Sequence, residues 1–152
     1  VTEAGTLFSG TIKSAVGIGA ILSCGIGDTL RVSLTGDPCD EVKTGWQILS
    51  SLDIRKRGPE IISCPTCGRT EIDLIDLANQ VENMLQQSKS LVSVAVMGCA
   101  VNGPGEAREA DYGIAGGLKQ GLIFKKGQII KKVEENDLLS EFAKILQNDG
   151  II

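Results

Sequence analysis

Leu91-Val92-Ser93-Val94-Ala95-Val96-Met97 runs without a charge and ends abruptly in Gly98-Cys99. A near-continuous apolar run of this length is the pattern of a strand covered on both faces, as in a parallel sheet. Cys99 then falls at the strand's carboxyl end, where open parallel sheets gather their ligands. Asn102-Gly103-Pro104-Gly105-Glu106 follows, a glycine-rich loop that lets backbone wrap closely around a bulky group.

Upstream, Glu60 to Ser63 reads as a second strand, leading into Cys64-Pro65-Thr66-Cys67-Gly68. Thr70 with Asp73 resembles a capping box for a helix to about Gln87. Its apolar stripe is Leu74, Leu77, Ala78, Val81, Met84 and Leu85, while Glu71, Asp73 and Asp76 suit the positive end of the helix. Downstream, Gly121 to Phe124 and Gln128 to Lys131 form an expected hairpin around Lys126-Gly127. A last helix begins at Asn136 or Asp137 and carries Leu138, Leu139, Phe142, Ile145 and Leu146 on one face.

The basic turn Arg55-Lys56-Arg57-Gly58-Pro59 marks a domain boundary, dividing the chain into 1–55 and 56–152; its bland reading is a solvated linker. In the first part, Val1-Thr2 ends a strand, and a helix covers Thr11 to Leu22 with Ile12, Ala15, Val16, Gly19 and Ala20 near one stripe. Thr29 to Leu34 alternates as a strand. Asp37 caps a second helix with Pro38 at its first position. Its apolar residues are Val42, Trp46, Ile48, Leu49 and Leu52. Strand–helix–strand–helix is the rhythm of parallel α/β structure.

Composition narrows the function. The chain has 152 residues, 42% hydrophobic, with a formal net charge of −4 and 3% aromatics. Without a basic run or stacking platforms it has no footprint for nucleic acid. No apolar run approaches the ~20 residues of a membrane-spanning helix. It contains no histidine, so any metal must rest on Cys, Asp, Glu or backbone. Five cysteines without a signal-peptide pattern fit a reducing cytosol better than a disulfide framework. The start at Val1, without Met, reads as a fragment of something longer.

Cys64-x-x-Cys67 and Cys99 both sit at expected strand ends, so three thiols can converge. A lone C-x-x-C is ambiguous between a redox pair, zinc and a cluster. A thioredoxin-like pair needs no third cysteine, and structural zinc takes four Cys or a Cys/His mixture. Three cysteines on Gly/Pro loops favour a 4Fe–4S cluster with one iron ligated differently. Cys24, at a helix exit, and Cys39, at a helix start, read as spectators, although Cys39 could be reactive if exposed at that helix N-terminus. Locally, Glu106 is either a ligand or a solvated carboxylate. Arg31 and Ser33 share one strand face by their two-residue spacing. Arg31 forms either a structural ion pair or, with the hydroxyl, a phosphate contact. Glu3 alone reads as a surface charge.

Val1-Thr2-Glu3-Ala4-Gly5, Lys13-Ser14-Ala15, Ile26-Gly27-Asp28-Thr29-Leu30-Arg31-Val32-Ser33-Leu34, Cys64-Pro65-Thr66-Cys67 and Gly98 through Glu106 occur in that order. Together they closely resemble the C-terminal part of the 4-hydroxy-3-methylbut-2-enyl diphosphate synthase family, over essentially the whole chain. The resemblance implies the closing strand–helix units of a TIM-type barrel, then an α/β cluster domain similar to those of sulfite and nitrite reductases. It implies a cytoplasmic oxidoreductase of the non-mevalonate isoprenoid pathway. Such an enzyme reductively opens 2-C-methyl-D-erythritol 2,4-cyclodiphosphate with electrons from reduced flavodoxin or ferredoxin. It also implies a homodimer in which one subunit's barrel meets its partner's cluster domain. Carried over, Cys64, Cys67 and Cys99 are the thiolate ligands and Glu106 the carboxylate on the fourth iron. Glu3 faces substrate and handles a proton, and Arg31 and Ser33 touch the diphosphate. Most of the barrel is missing, so the chain alone is expected to be inactive. Two other classes stand beside this one: a standalone iron–sulfur electron-transfer module and a zinc-stabilised structural domain.

Overall fold

The computed structural model describes residues 4–100 and 107–152. The chain divides into two compact units, Val1–Arg57 and Gly58–Ile152.

In the first unit α1 spans Leu7–Ser23 and α2 spans Pro38–Ser51. The Asp37 carboxylate accepts the Cys39 N–H at 2.8 Å, and Pro38 occupies the first turn, where its missing N–H costs nothing. Gly25, at φ +72°, ends α1 by donating its N–H to Leu22 O at 2.9 Å. The small core is Val32, Leu34 and Ile48, with Ile18, Leu22, Leu30 and Leu52 packed around it.

Three expectations need correcting here. Thr29 to Leu34 is not a strand, because among the described residues no strand lies beside it and a ladder needs a partner. Its alternation survives: Val32 and Leu34 are buried, Arg31 is exposed and Ser33 half-buried. The segment is held instead by the Leu34 N–H on Glu41 Oε1 and the Thr35 N–H on Gly5 O, each at 2.8 Å. Second, α1 begins at Leu7 rather than Thr11 and turns Gly10, Ser14, Ile18 and Leu22 inward, not Ile12 and Val16. Gly10 is needed there, since a Cβ would meet Leu34 Cδ2 at 2.6 Å. The helix is apolar on most sides, so periodicity alone does not choose its buried face. Third, the basic turn is more than a solvated linker: the Arg55 and Arg57 guanidiniums lie 5.4 and 5.2 Å from the Trp46 ring centroid. The strand expected to end at Val1-Thr2 lies outside the described residues.

Among its described residues the second unit is built on a five-stranded mixed sheet. β1 is Glu60–Ser63, β2 Ser93–Met97, β3 Tyr112–Ala115, β4 Gln120–Lys125 and β5 Gln128–Glu134, lying side by side in that order. The first three strands run parallel, with Ser63 beside Val96 and Met97 beside Ala115; β4 and β5 return antiparallel. α3 (Leu74–Leu85) crosses over from β1 to β2, and α4 (Leu138–Asn148) closes the unit.

β2 is covered on both faces, as its apolar run requires. Val94 and Val96 meet Leu74, Val81, Leu85, Phe142 and Leu146 of the two helices. Ala95 and Met97 meet Ala107, Ala110, Ala115 and Phe124 on the other face. β3 is a fourth departure, having no counterpart in the expected elements; its four residues are short and include Gly113, over which the Phe124 ring packs. The hairpin strands are longer than expected, and Lys126 and Gly127 both take positive φ, as a two-residue type I′ turn demands.

The carboxyl end of α4 is tied to the sheet: Asp149 accepts the Tyr112 hydroxyl at 2.8 Å and the Lys125 ammonium at 2.7 Å. On the same helix Glu141 takes ion pairs from Lys131 of β5 and Lys144. Hydrogen bonds from Lys131 and then Lys144 lower the Glu141 pKa to about 2. A depressed carboxylate stabilises the fold above its unfolded value and loses that contribution as pH falls through its folded one. Glu141→Gln should therefore lower the melting temperature at pH 7, with the two proteins converging as pH drops from ~4.3 toward 2. Equal melting temperatures at neutral pH would contradict this.

Candidate functional site

Parallel pairing of β1 with β2 sets the geometry of the cysteines. Cys64 follows directly on β1, donates its N–H to Val96 O at 3.3 Å and receives the Gly98 N–H on its sulfur, also at 3.3 Å. Cys99 lies just beyond β2 and is only 5% exposed. The chain continuing from Cys64 folds back onto the same place. Cys67 is exposed; its N–H donates to Thr70 Oγ1 at 3.1 Å and its carbonyl accepts the Thr70 N–H at 3.0 Å. The Glu71 N–H then reaches Gly98 O at 3.0 Å. Cys64, the Cys67 turn and Cys99 are thus brought to one carboxyl edge of the sheet.

The capping box expected from Thr70 and Asp73 does not form. The helix starts at Leu74, with the Asp73 carboxylate accepting the Asp76 N–H at 3.0 Å, and Thr70 serves the cysteine turn instead. Three contributors to this edge escaped sequence reasoning: Thr70, Gly98 as a donor to sulfur, and Gly116. Gly116 donates its N–H to Met97 O at 2.8 Å, and Ile72 fills the space over its Cα. The one available signal was the spacing of Thr70, three residues past Cys67.

The environment favours thiolate at the exposed cysteine. The Arg69 backbone N–H, helped by the Arg69 guanidinium and Thr70, holds the Cys67 thiol below its usual range. Cys39 shows the reverse: a hydrogen bond with the Asp37 carboxylate pushes its thiol up, so its place at a helix N-terminus does not activate it. Cys24 is exposed.

Among the described residues no three His, Cys, Asp or Glu side chains sit close enough together to hold one metal ion. A 4Fe–4S cluster attaches its thiolates to different irons, so it asks for sulfurs around a volume rather than at a point. Cys64 with the Gly98 N–H on its sulfur, the exposed Cys67 and the buried Cys99 supply the donor type such a cluster takes, at one edge of the sheet. Glu106 and Glu3 lie outside the described residues. Arg31 and Ser33 belong to the first unit, where Arg31 lines an open cavity of about 350 Å³ with Glu41, Trp46 and Leu49. Ser33 is not among that cavity's lining residues.

Fold and cysteine edge together define a class: a mixed α/β domain that presents thiols beyond the ends of two adjacent parallel strands. The family model described as the GcpE protein C-terminal domain matches residues 60–148, and that of the GcpE TIM-barrel domain matches 1–46. The chain belongs to the GcpE family. It is similar to a 4-hydroxy-3-methylbut-2-en-1-yl diphosphate synthase (flavodoxin) of Clostridium acetobutylicum, 64% identical over 97% of this chain and 42% of the relative. Relatives of the same name from Fusobacterium nucleatum (64% identical, 98% of this chain, 42% of the relative) and Geobacter sulfurreducens (60%, 96% and 42%) are also similar. The chain spans about two-fifths of the length of these relatives. No helix among the described residues is long and apolar enough to cross a membrane.

A Cβ at Gly116 would lie 2.4 to 2.6 Å from three side-chain atoms of Ile72. Gly116→Ala should cost about 1–3 kcal/mol of stability through overpacking, read from urea unfolding. A change within a few tenths of a kcal/mol would show that Ile72 moves aside freely.

Proposed function

We propose that this chain supplies the C-terminal part of a cytoplasmic, homodimeric iron–sulfur oxidoreductase. The enzyme reductively opens 2-C-methyl-D-erythritol 2,4-cyclodiphosphate to 4-hydroxy-3-methylbut-2-enyl diphosphate in the non-mevalonate isoprenoid pathway. The observation that carries the reading is the sheet edge where Cys64, Cys67 and Cys99 gather, in a chain about 60% or more identical to synthases of that name.

In this reading residues 1–55 close a TIM-type barrel, and residues 56–152 form a cluster domain like those of sulfite and nitrite reductases. Cys64, Cys67 and Cys99 hold a 4Fe–4S cluster, and Glu106 completes its fourth iron. When bound, the cluster supplies electrons one at a time and a Lewis-acidic iron. The chain's own residues do the rest. The Gly98 N–H donates to the Cys64 sulfur, and the Arg69 N–H favours the thiolate at Cys67. Burial of Cys99 keeps water from one side of the site. Arg31 offers a fixed positive charge and Ser33 a hydroxyl to the diphosphate, orienting the ring. Glu3 faces substrate and handles a proton; this portion has no histidine, so proton delivery from it falls to a carboxylate or to water. Reduced flavodoxin or ferredoxin is the electron donor.

A chimera tests this. The barrel portion preceding the matched region in the Clostridium acetobutylicum relative is joined to this chain and assayed anaerobically with cyclodiphosphate and reduced flavodoxin. We expect turnover, lost by at least about 100-fold in Glu106→Ala and abolished in Cys99→Ser, as for removal of a group acting at the reacting centre. A chimera that folds and holds iron and sulfide but produces no linear diphosphate would refute the assignment.

A further inference from the structure

The structure assigns Thr70 the part of a positioning residue that locks the Cys67 turn against the backbone joining Cys64 to Cys99. This rests on the cluster reading above, because it concerns how the ligand loops are held. Cys64 and Cys99 are each anchored by a strand end, but Cys67 is on an exposed turn with no ladder to fix it. Its anchor is local. Thr70 Oγ1 accepts the Cys67 N–H at 3.1 Å, and the Thr70 N–H donates to Cys67 O at 3.0 Å, closing a tight reciprocal turn.

The same side chain reaches the other two cysteines through Gly98. A Cβ on Gly98 would stand 3.0 Å from Thr70 Cγ2 and 3.2 Å from its Oγ1, so the threonine packs directly on that glycine. Gly98 precedes Cys99 and gives its N–H to the Cys64 sulfur. The adjoining Glu71 N–H binds Gly98 O at 3.0 Å, pinning the turn from its other side. One half-buried side chain therefore touches the turn that carries Cys67 and the residue that bridges Cys64 and Cys99. The hydroxyl is the working part: its oxygen holds the turn and so fixes the spacing of the turn from Gly98. Where three thiolates grip a rigid inorganic group, that spacing and the direction of nearby N–H dipoles tune the group's potential.

Thr70→Val keeps the shape and removes the acceptor; Thr70→Ser keeps the acceptor and removes the methyl. In the metal-free 152-residue chain, amide hydrogen exchange at Cys67 should quicken about five-fold in Thr70→Val, the worth of one net hydrogen bond, and stay near wild type in Thr70→Ser. Exchange at Val94 to Met97 reports whether the sheet itself is intact. After anaerobic reconstitution, Thr70→Val should give a shifted reduction potential and altered electron paramagnetic resonance of the reduced centre, with Thr70→Ser restoring the wild-type values. Unchanged Cys67 exchange in Thr70→Val, or loss in Thr70→Ser equal to that in Thr70→Val, would overturn the assignment. A loaded centre indifferent to both substitutions would overturn it too. A wild-type chain that takes up no iron and sulfide refutes the cluster reading instead, while the metal-free exchange still decides whether Thr70 holds the turn.

Discussion

Parallel pairing of β1 with β2 is the constraint on which the rest of the second unit depends. Placing Ser63 beside Val96 puts the next residue, Cys64, within reach of the Gly98 N–H and puts Cys99 just past the neighbouring strand end. A one-residue slip in that register would turn Val94 and Val96 away from the helices and move the cysteine edge with them. The register is protected because β2 is buried on both sides, by helix side chains on one face and by Ala95, Met97, Ala107 and Phe124 on the other. It is also pinned at its start, where Ser93 and Asp111 exchange hydrogen bonds at 2.9 to 3.1 Å between β2 and the approach to β3.

Most of this unit was legible because its signals are strong and local. The uncharged run into Gly98-Cys99 reads as a buried strand, and Glu60 to Ser63 as a second one leading into Cys64-x-x-Cys67. β3 was missed because four residues, one of them the Gly113 under Phe124, carry neither an alternation nor a long apolar run. Thr70 was misread for a different reason. Its spacing to Asp73 satisfies a capping pattern, and only the fold shows that the cysteine turn competes for the same hydroxyl and wins.

The first unit was less legible, and the cause is physical. A barrel strand is specified by its neighbours, and Thr29 to Leu34 keeps the in-and-out alternation of a strand without any described partner to pair with. α1 presents apolar residues on nearly all sides, so its buried face is chosen by close approach at Gly10 and Ser14, not by hydrophobicity. The exposed stripe of Phe8, Ile12 and Val16 follows from that choice. Of the candidate site, the three cysteines were readable from residue type and strand-end position. The roles proposed for Glu3 and Glu106 rest on the resemblance alone, since a single carboxylate carries no sequence pattern of its own.

Cys64, Cys67 and Cys99 are proposed to hold one iron–sulfur cluster at this sheet edge, and chemical analysis of the chain reconstituted without oxygen decides it. About four irons and four sulfides per chain are expected, with broad absorption near ~400 nm that dithionite bleaches. Replacing any one of the three cysteines by serine should remove most of that iron. Colourless protein carrying a single zinc, or iron uptake indifferent to all three substitutions, would contradict it.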